Sequence, residues 1–190
     1  MIERVSISEI KSLADYEIER SIGRPQIMAL KDRRRVRVGD HLTFLFENHD
    51  TVRYQIQEMI RIERTVRLED IAHEVETYNE LIPAENGLSA SLFIEYETPE
   101  ERDVWLRELL GLEDHVWLAV GDLRPVRARF DGRQISGGRI SSVQYVKFEL
   151  TPEHAARFTD GARIVVDHPK YRSEQALSTE QITELAGDLR

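Results

Sequence analysis

The chain of 190 residues contains no cysteine. That absence excludes disulfides, thiol nucleophiles, zinc–cysteine sites and cysteine-held iron–sulfur clusters within it. No run of about 18 apolar residues occurs, so no membrane contact through a spanning helix is expected. The N-terminal stretch lacks the apolar core of a signal peptide, which points to a cytoplasmic location. Positive charge is the scarcer sign: 26 Lys+Arg stand against 35 Asp+Glu, a net charge of −9. Nonspecific nucleic-acid binding needs a basic footprint, so no nucleic-acid partner is expected. The glycine-rich phosphate loops GxGxxG and GxxxxGK[ST] are missing, and so is the serine elbow GxSxG. Gly137-Gly138 is a lone glycine pair and reads as a loop.

The charge that is present is unevenly placed. Residues 1–40 carry nine basic and seven acidic groups, whereas residues 47–101 carry four basic and fourteen acidic ones. Lys31, Arg33, Arg34, Arg35 and Arg37 crowd around a single Asp32. A basic knot followed by an acidic middle fits a contact within the chain or between chains, and equally two solvated faces.

Local patterns predict mixed elements. Ser6-Ile-Ser-Glu9 is a capping box for a short helix, and Pro25 suits the first turn of a second one carrying Ile27, Met28 and Leu30. Val36 and Val38, then Gly39-Asp40, then Leu42, Phe44 and Phe46, read as a hairpin with a two-residue turn. Residues 51–82 read as helical. At roughly 100° per residue the stripe of Val52, Ile56, Met59 and Ile60 centres about 120° away from that of Leu68, Ile71 and Val75, so we place a break between Glu63 and Leu68. Leu88 to Tyr96 alternates as a half-buried strand, Thr98-Pro99 starts a helix lined by Val104, Leu106, Leu109 and Leu110, and Val116–Val120 suits a central strand. Val126, Ala128 and Phe130 alternate with Arg127 and Arg129. A strand over Val143–Leu150, a short helix at Thr151-Pro152, a short strand over Ile164–Val166 and a capped helix after Ser178 complete the reading. Strands joined by tight turns favour an α+β fold, a largely antiparallel sheet with flanking helices that include an acidic helix pair at about residues 51–82. We expect a single domain over residues 1–190, helical and hairpin-rich to about residue 86 and sheet-rich from about residue 87.

Five stretches carry a family resemblance: Leu30-Lys-Asp-Arg-Arg-Arg-Val, Val38-Gly-Asp-His-Leu-Thr-Phe-Leu-Phe-Glu47, Gln55-Ile-Gln-Glu-Met59, Tyr78-Asn-Glu-Leu-Ile-Pro83 and Ser141-Ser-Val-Gln-Tyr-Val146. Together they resemble the bacterial family of domain of unknown function 3501, over most of the chain. The resemblance implies a genomic neighbourhood of rubrerythrin-like and iron–sulfur oxidoreductase proteins. It implies no activity and no catalytic residue.

Two clusters stand out chemically. Glu69, Asp70, His73 and Glu76 place carboxylates and an imidazole at helical spacing. Asp70 and His73 match the spacing of diiron Glu-x-x-His pairs, so Fe, Mn or Zn are the cofactors this cluster would take. Its phase lies on the side of the helix away from Ile71, Val75 and Tyr78, which makes a solvated polar face the competing reading. Arg127, Arg129, Arg133, Arg139 and Lys147 form the second cluster. With Arg127 and Arg129 on one face of a strand and Glu149 and Lys147 on the next, they read as cross-strand pairs or as a basic face for an anion or an acidic partner, a second copy included. Two further acids are notable. Glu47 with His49 has chelate-like spacing, and Glu63 continues the apolar stripe of its helix, where it must pair or reach solvent. The functional expectation is a noncatalytic binding or assembly module, forming a homo-oligomer or binding an acidic protein, with a redox-linked metal protein as the alternative.

Overall fold

A computed structural model describes residues 3–189. After a single 3-10 turn at Ile7–Glu9 come α1 (Leu13–Arg33), β1 (Arg35–Val38), β2 (Leu42–Glu47), α2 (His49–Glu63) and α3 (Leu68–Asn79). The middle of the chain forms β3 (Gly87–Ile94), α4 (Pro99–Glu108), β4 (Val116–Val120), β5 (Val126–Arg127) and β6 (Arg129–Phe130). The hairpin β7 (Ile135–Ser136) and β8 (Arg139–Ile140), then β9 (Val143–Glu149), α5 (Pro152–Ala156), β10 (Ala162–His168), β11 (Tyr171–Ala176) and α6 (Thr179–Ala186) follow. The fold is α+β.

All strand pairs are antiparallel. One sheet runs β1-β2-β3-β9-β6 and the other β11-β10-β4-β5. β2 pairs with β3, so the helical and sheet-rich parts expected from the sequence share one sheet. The segment 126–130 belongs to both sheets. Buried Ala128 sits between β5 and β6, and its N–H donates to the Val116 carbonyl (2.8 Å). At another corner the Tyr171 hydroxyl donates to the Val38 carbonyl (2.7 Å) and accepts from the His41 N–H (3.1 Å). It passes directly over Gly39, whose φ of +65° and lack of a Cβ permit that approach.

The period of two sorts the residues of the five-stranded sheet. Val36, Val38, Leu42, Phe44, Phe46, Leu88, Leu92, Val146 and Phe148 point to the inter-sheet core, against Val116, Leu118, Val120, Ile164 and Val166. The opposite face carries Thr43, Glu47, Ser89 and Ser91, all buried. On that side Tyr145 packs against the helix cluster of Val52, Ile56, Ile60 and Val75.

Several sequence expectations need correction. Pro25 lies inside α1, a single 21-residue helix capped by Ser12. Pro25 cannot donate to the Ser21 carbonyl, but residues 21–26 are all exposed and water can take that acceptor. The first hairpin turns through three residues, Gly39 to His41, because Val38 pairs with Leu42. β3 is buried on both faces, since its serines lie under helices. Val104 and Leu110 are exposed and do not line α4's packed face. Arg127 and Arg129 do not share one strand face toward β9: Arg127 lies opposite Trp117 in one sheet and Arg129 opposite Lys147 in the other. β11, Tyr-Arg-Ser-Glu-Gln-Ala, is an exposed polar strand with no apolar alternation to announce it.

The chain does break between Glu63 and Leu68. Arg64 takes a left-handed conformation (φ 53°) that ends α2, and α3 begins four residues later at a new phase. This break sets the site described next.

Candidate functional site

Three elements meet beyond the end of the helix-facing core: the C-terminal turn of α2, one flank of α3, and the β6–β9 strand pair. Between them lies a cleft of about 670 Å³. The same helical phase that buries Val52, Ile56 and Ile60 carries Met59 and Glu63 onward to the cleft, past the end of the core. Glu63 is exposed and makes no ion pair among the described residues. From α3 come Glu74, Thr77 and Tyr78, followed by Glu80 and Leu81, and from the strands come Arg129, Tyr145, Lys147 and Glu149. Asp131 and Arg133 also line it.

The five cations singled out in the sequence separate here. Arg129, Arg133 and Lys147 line the cleft. Arg127 and Arg139 do not, and each is engaged elsewhere, by Asp114 (2.9 Å) and Asp103 (2.6 Å) respectively. Arg129 pairs with Glu149 across the strands, and Arg133 grips Asp131 (2.7 Å) and reaches Glu80 at the end of α3. The acidic segment and the basic face therefore meet within one chain. Lys147 differs from the other four: it makes no ion pair among the described residues. Its register neighbours are Arg129 on one side and Ser89 on the other, so no carboxylate lies directly across from it, and its charge acts on Asp131 only through space, favouring that carboxylate's ionised form.

The cleft's titration chemistry follows from these contacts. The Arg133 guanidinium holds the Asp131 carboxyl below the usual range. Tyr78 is raised by burial first, then by Tyr145, with Glu74 and Glu63 adding to the shift. Tyr145 is raised by burial and by the carboxylates of Glu47 and Asp131. Both phenols thus stay protonated near neutrality and remain hydrogen-bond donors.

The other predicted groups lie outside the cleft. Glu69, Asp70, His73 and Glu76 are exposed on a different flank of α3, and Arg67 engages Glu69 (2.6 Å) and Asp70 (3.8 Å). Among the described residues no group of three or more His, Asp or Glu is placed to hold a metal ion. Glu47 and His49 do not form a chelate. Glu47 turns inward and accepts from Ser91 (2.6 Å) and Thr51 (2.5 Å), whereas His49 faces Glu9 (3.0 Å).

Sequence reasoning missed two features. His115 and Trp117 both reach Asp167 (3.0 and 3.2 Å), a pairing made by β4–β10 register and 50 residues or more apart in the chain. A second cavity of about 370 Å³ lies between α1 and α2, beside Tyr16 and Arg20, which both bond Glu58. Tyr16 is displaced upward by burial and by that carboxylate. Its anchoring contacts span about 40 residues, beyond any local pattern.

Comparison with known proteins adds identity without activity. The sequence model of the family described as "Protein of unknown function (DUF3501)" matches residues 4–189. No curated protein matches the chain. The fold is similar to a crystal structure of a novel protein of unknown function from Burkholderia pseudomallei, with 34% sequence identity and a TM-score of 0.93. The match covers 99% of this chain and 100% of that one.

Proposed function

The chain belongs to the DUF3501 family, and we propose that it is a noncatalytic binding module whose site is the cleft between α2–α3 and β6–β9. One observation carries this reading: three of the five basic candidates line a cleft of about 670 Å³, and of these Lys147, unlike Arg129 and Arg133, makes no ion pair among the described residues. A cation left over in a cleft of that size, within the range of about 300–1,000 Å³ usual for small-molecule sites, is available to a ligand. The paired arginines fix the walls and the two tyrosines supply neutral donors. Nothing in the cleft couples a nucleophile to a base, so binding, not bond-making, is the chemistry on offer.

The test is thermal unfolding in the presence of sodium phosphate, glutarate or L-lysine, each in large excess. A binder of the folded state raises the melting temperature by mass action. At least one of the three should raise it for the wild type and raise it clearly less for Lys147→Met at the same concentration. No rise with any probe, or equal rises in wild type and Lys147→Met, would overturn the proposal.

A second reading, assembly with another copy, rests on α1. That helix buries none of its residues fully, and Ile18 and Ile22, one turn apart, are 74% and 71% exposed. Sedimentation of wild type and Ile22→Lys tests it: an oligomer that dissociates in the variant supports assembly through α1, and a monomer in both cases removes it.

A further inference from the structure

The charged groups of the cleft can be sorted by what already satisfies them. Arg129 is held by Glu149, and Arg133 by Asp131 and Glu80. Three charges remain without an ion pair among the described residues: Lys147 on the strand wall, and Glu63 and Glu74 on the helix wall. A doubly charged anion such as phosphate would have to draw an arginine away from its carboxylate, because a single lysine offers only one positive charge. Two carboxylates facing one ammonium leave the unmatched set with a net negative charge. Between these walls the surface is apolar or neutral, with Met59, Leu81, Tyr78 and Tyr145. Methylene groups can lie on such a surface while charged ends reach out on either side.

We infer that the ligand is a small basic amphion, one carboxylate joined through a short aliphatic stem to two cationic nitrogens, as in a basic α-amino acid. Its carboxylate meets the Lys147 ammonium and its two cationic groups meet Glu63 and Glu74. The inference rests on the cleft being the binding site and adds the charge pattern of what fills it.

Isothermal titration with four probes separates the parts of this pattern. L-Lysine carries all three charges, 6-aminohexanoate lacks the α-amine, 1,5-diaminopentane lacks the carboxylate, and glutarate lacks both amines. L-Lysine should bind the wild type about tenfold tighter than any of the others, the factor expected for one added charge-assisted contact. Glu74→Gln should bring L-lysine down to the level of 6-aminohexanoate, and Lys147→Met to that of 1,5-diaminopentane. Both side chains are solvent-accessible, and unchanged melting temperatures without ligand will show that the variants fold. Equal binding of L-lysine and 1,5-diaminopentane overturns the inference, because the carboxylate then contributes nothing. Tighter binding of glutarate than of L-lysine overturns the amphion and leaves a cleft that takes anions. No heat from any probe overturns both the amphion and the cleft as a binding site.

Discussion

One face of the five-stranded sheet presents Phe44, Phe46, Leu92 and Phe148 to the second sheet, and the other presents Thr43, Glu47, Ser89 and Ser91 to the helices. These residues alternate along the same strands, yet they do different things. The apolar face excludes water from both sheets and supplies the hydrophobic free energy of the fold. The polar face buries a carboxylate, Glu47, that forms no ion pair among the described residues and is held by two hydroxyls. Toward β6 this second face leaves the helices behind, and its side chains become Lys147, Glu149 and Arg129. The larger apolar core thus lies on one side of the sheet and a smaller helix core on the other, and the cleft opens at the edge of that second side.

Breaking the apolar face should have the largest effect. Phe44→Ala is expected to cost about 3–5 kcal/mol, by lost transfer energy and a residual cavity. The readout is a lowered urea midpoint at constant slope, and a loss below about 1 kcal/mol would contradict the assignment of stability to this face. Glu47→Ala should cost less, about 1–3 kcal/mol, because it leaves the buried Ser91 hydroxyl without its acceptor and Thr51 with Asn48 alone. If the variant is as stable as wild type, those hydrogen bonds contribute nothing net.

Acid should sharpen the contrast, because the cleft carries charge and the apolar inter-sheet face does not. The Asp131 pKa is depressed in the folded state, chiefly by Arg133. Its contribution is therefore fully present above the unfolded carboxylate pKa of about 4 and is lost as pH falls through the lower folded value. Asp131→Asn should flatten that part of the stability–pH curve, and identical curves for variant and wild type would remove Asp131 from the account. The smallest effects belong to exposed positions. Lys147→Met and His73→Ala should each shift stability by no more than about 0.5 kcal/mol. A loss of several kcal/mol in His73→Ala, together with release of bound metal, would revive the exposed Glu69–Glu76 stripe as a metal centre.

How much of this was legible beforehand depended on whether the signal was local. The capping residues Ser12, Asn48, Thr98, Thr151 and Ser178 each accept a bond within three residues of themselves. Three of the helix starts, at Thr98, Thr151 and Ser178, could be read from such neighbours alone. The helix break at Arg64 was legible as a phase jump. Pro25 misled because a proline marks a helix start only where the preceding carbonyls are already free, and in α1 exposure to water does the same service. The cleft itself was not legible. Glu63, Glu74, Arg133 and Lys147 come together only through β6–β9 pairing and the packing of α3, contacts that no spacing encodes. A cross-strand pair between Glu149 and an arginine was legible from the alternation of the two strands and holds for Arg129; the partners of Arg127 and Arg139, Asp114 and Asp103, and the second partner of Arg133, Glu80, are set by packing that no spacing encodes.

The claim that the cleft is where this protein binds its ligand is tested most directly by methyl NMR of protein labelled at the methionine methyl groups. Met59 lines the cleft and Met28 sits on α1, away from it. Titration with L-lysine should move the Met59 resonance in a saturable way, leave Met28 in place, and need about tenfold more ligand to move Met59 in Lys147→Met. A Met59 signal that stays fixed while ligand binding is detected by other means, or a shift at Met28 in its stead, would contradict the account.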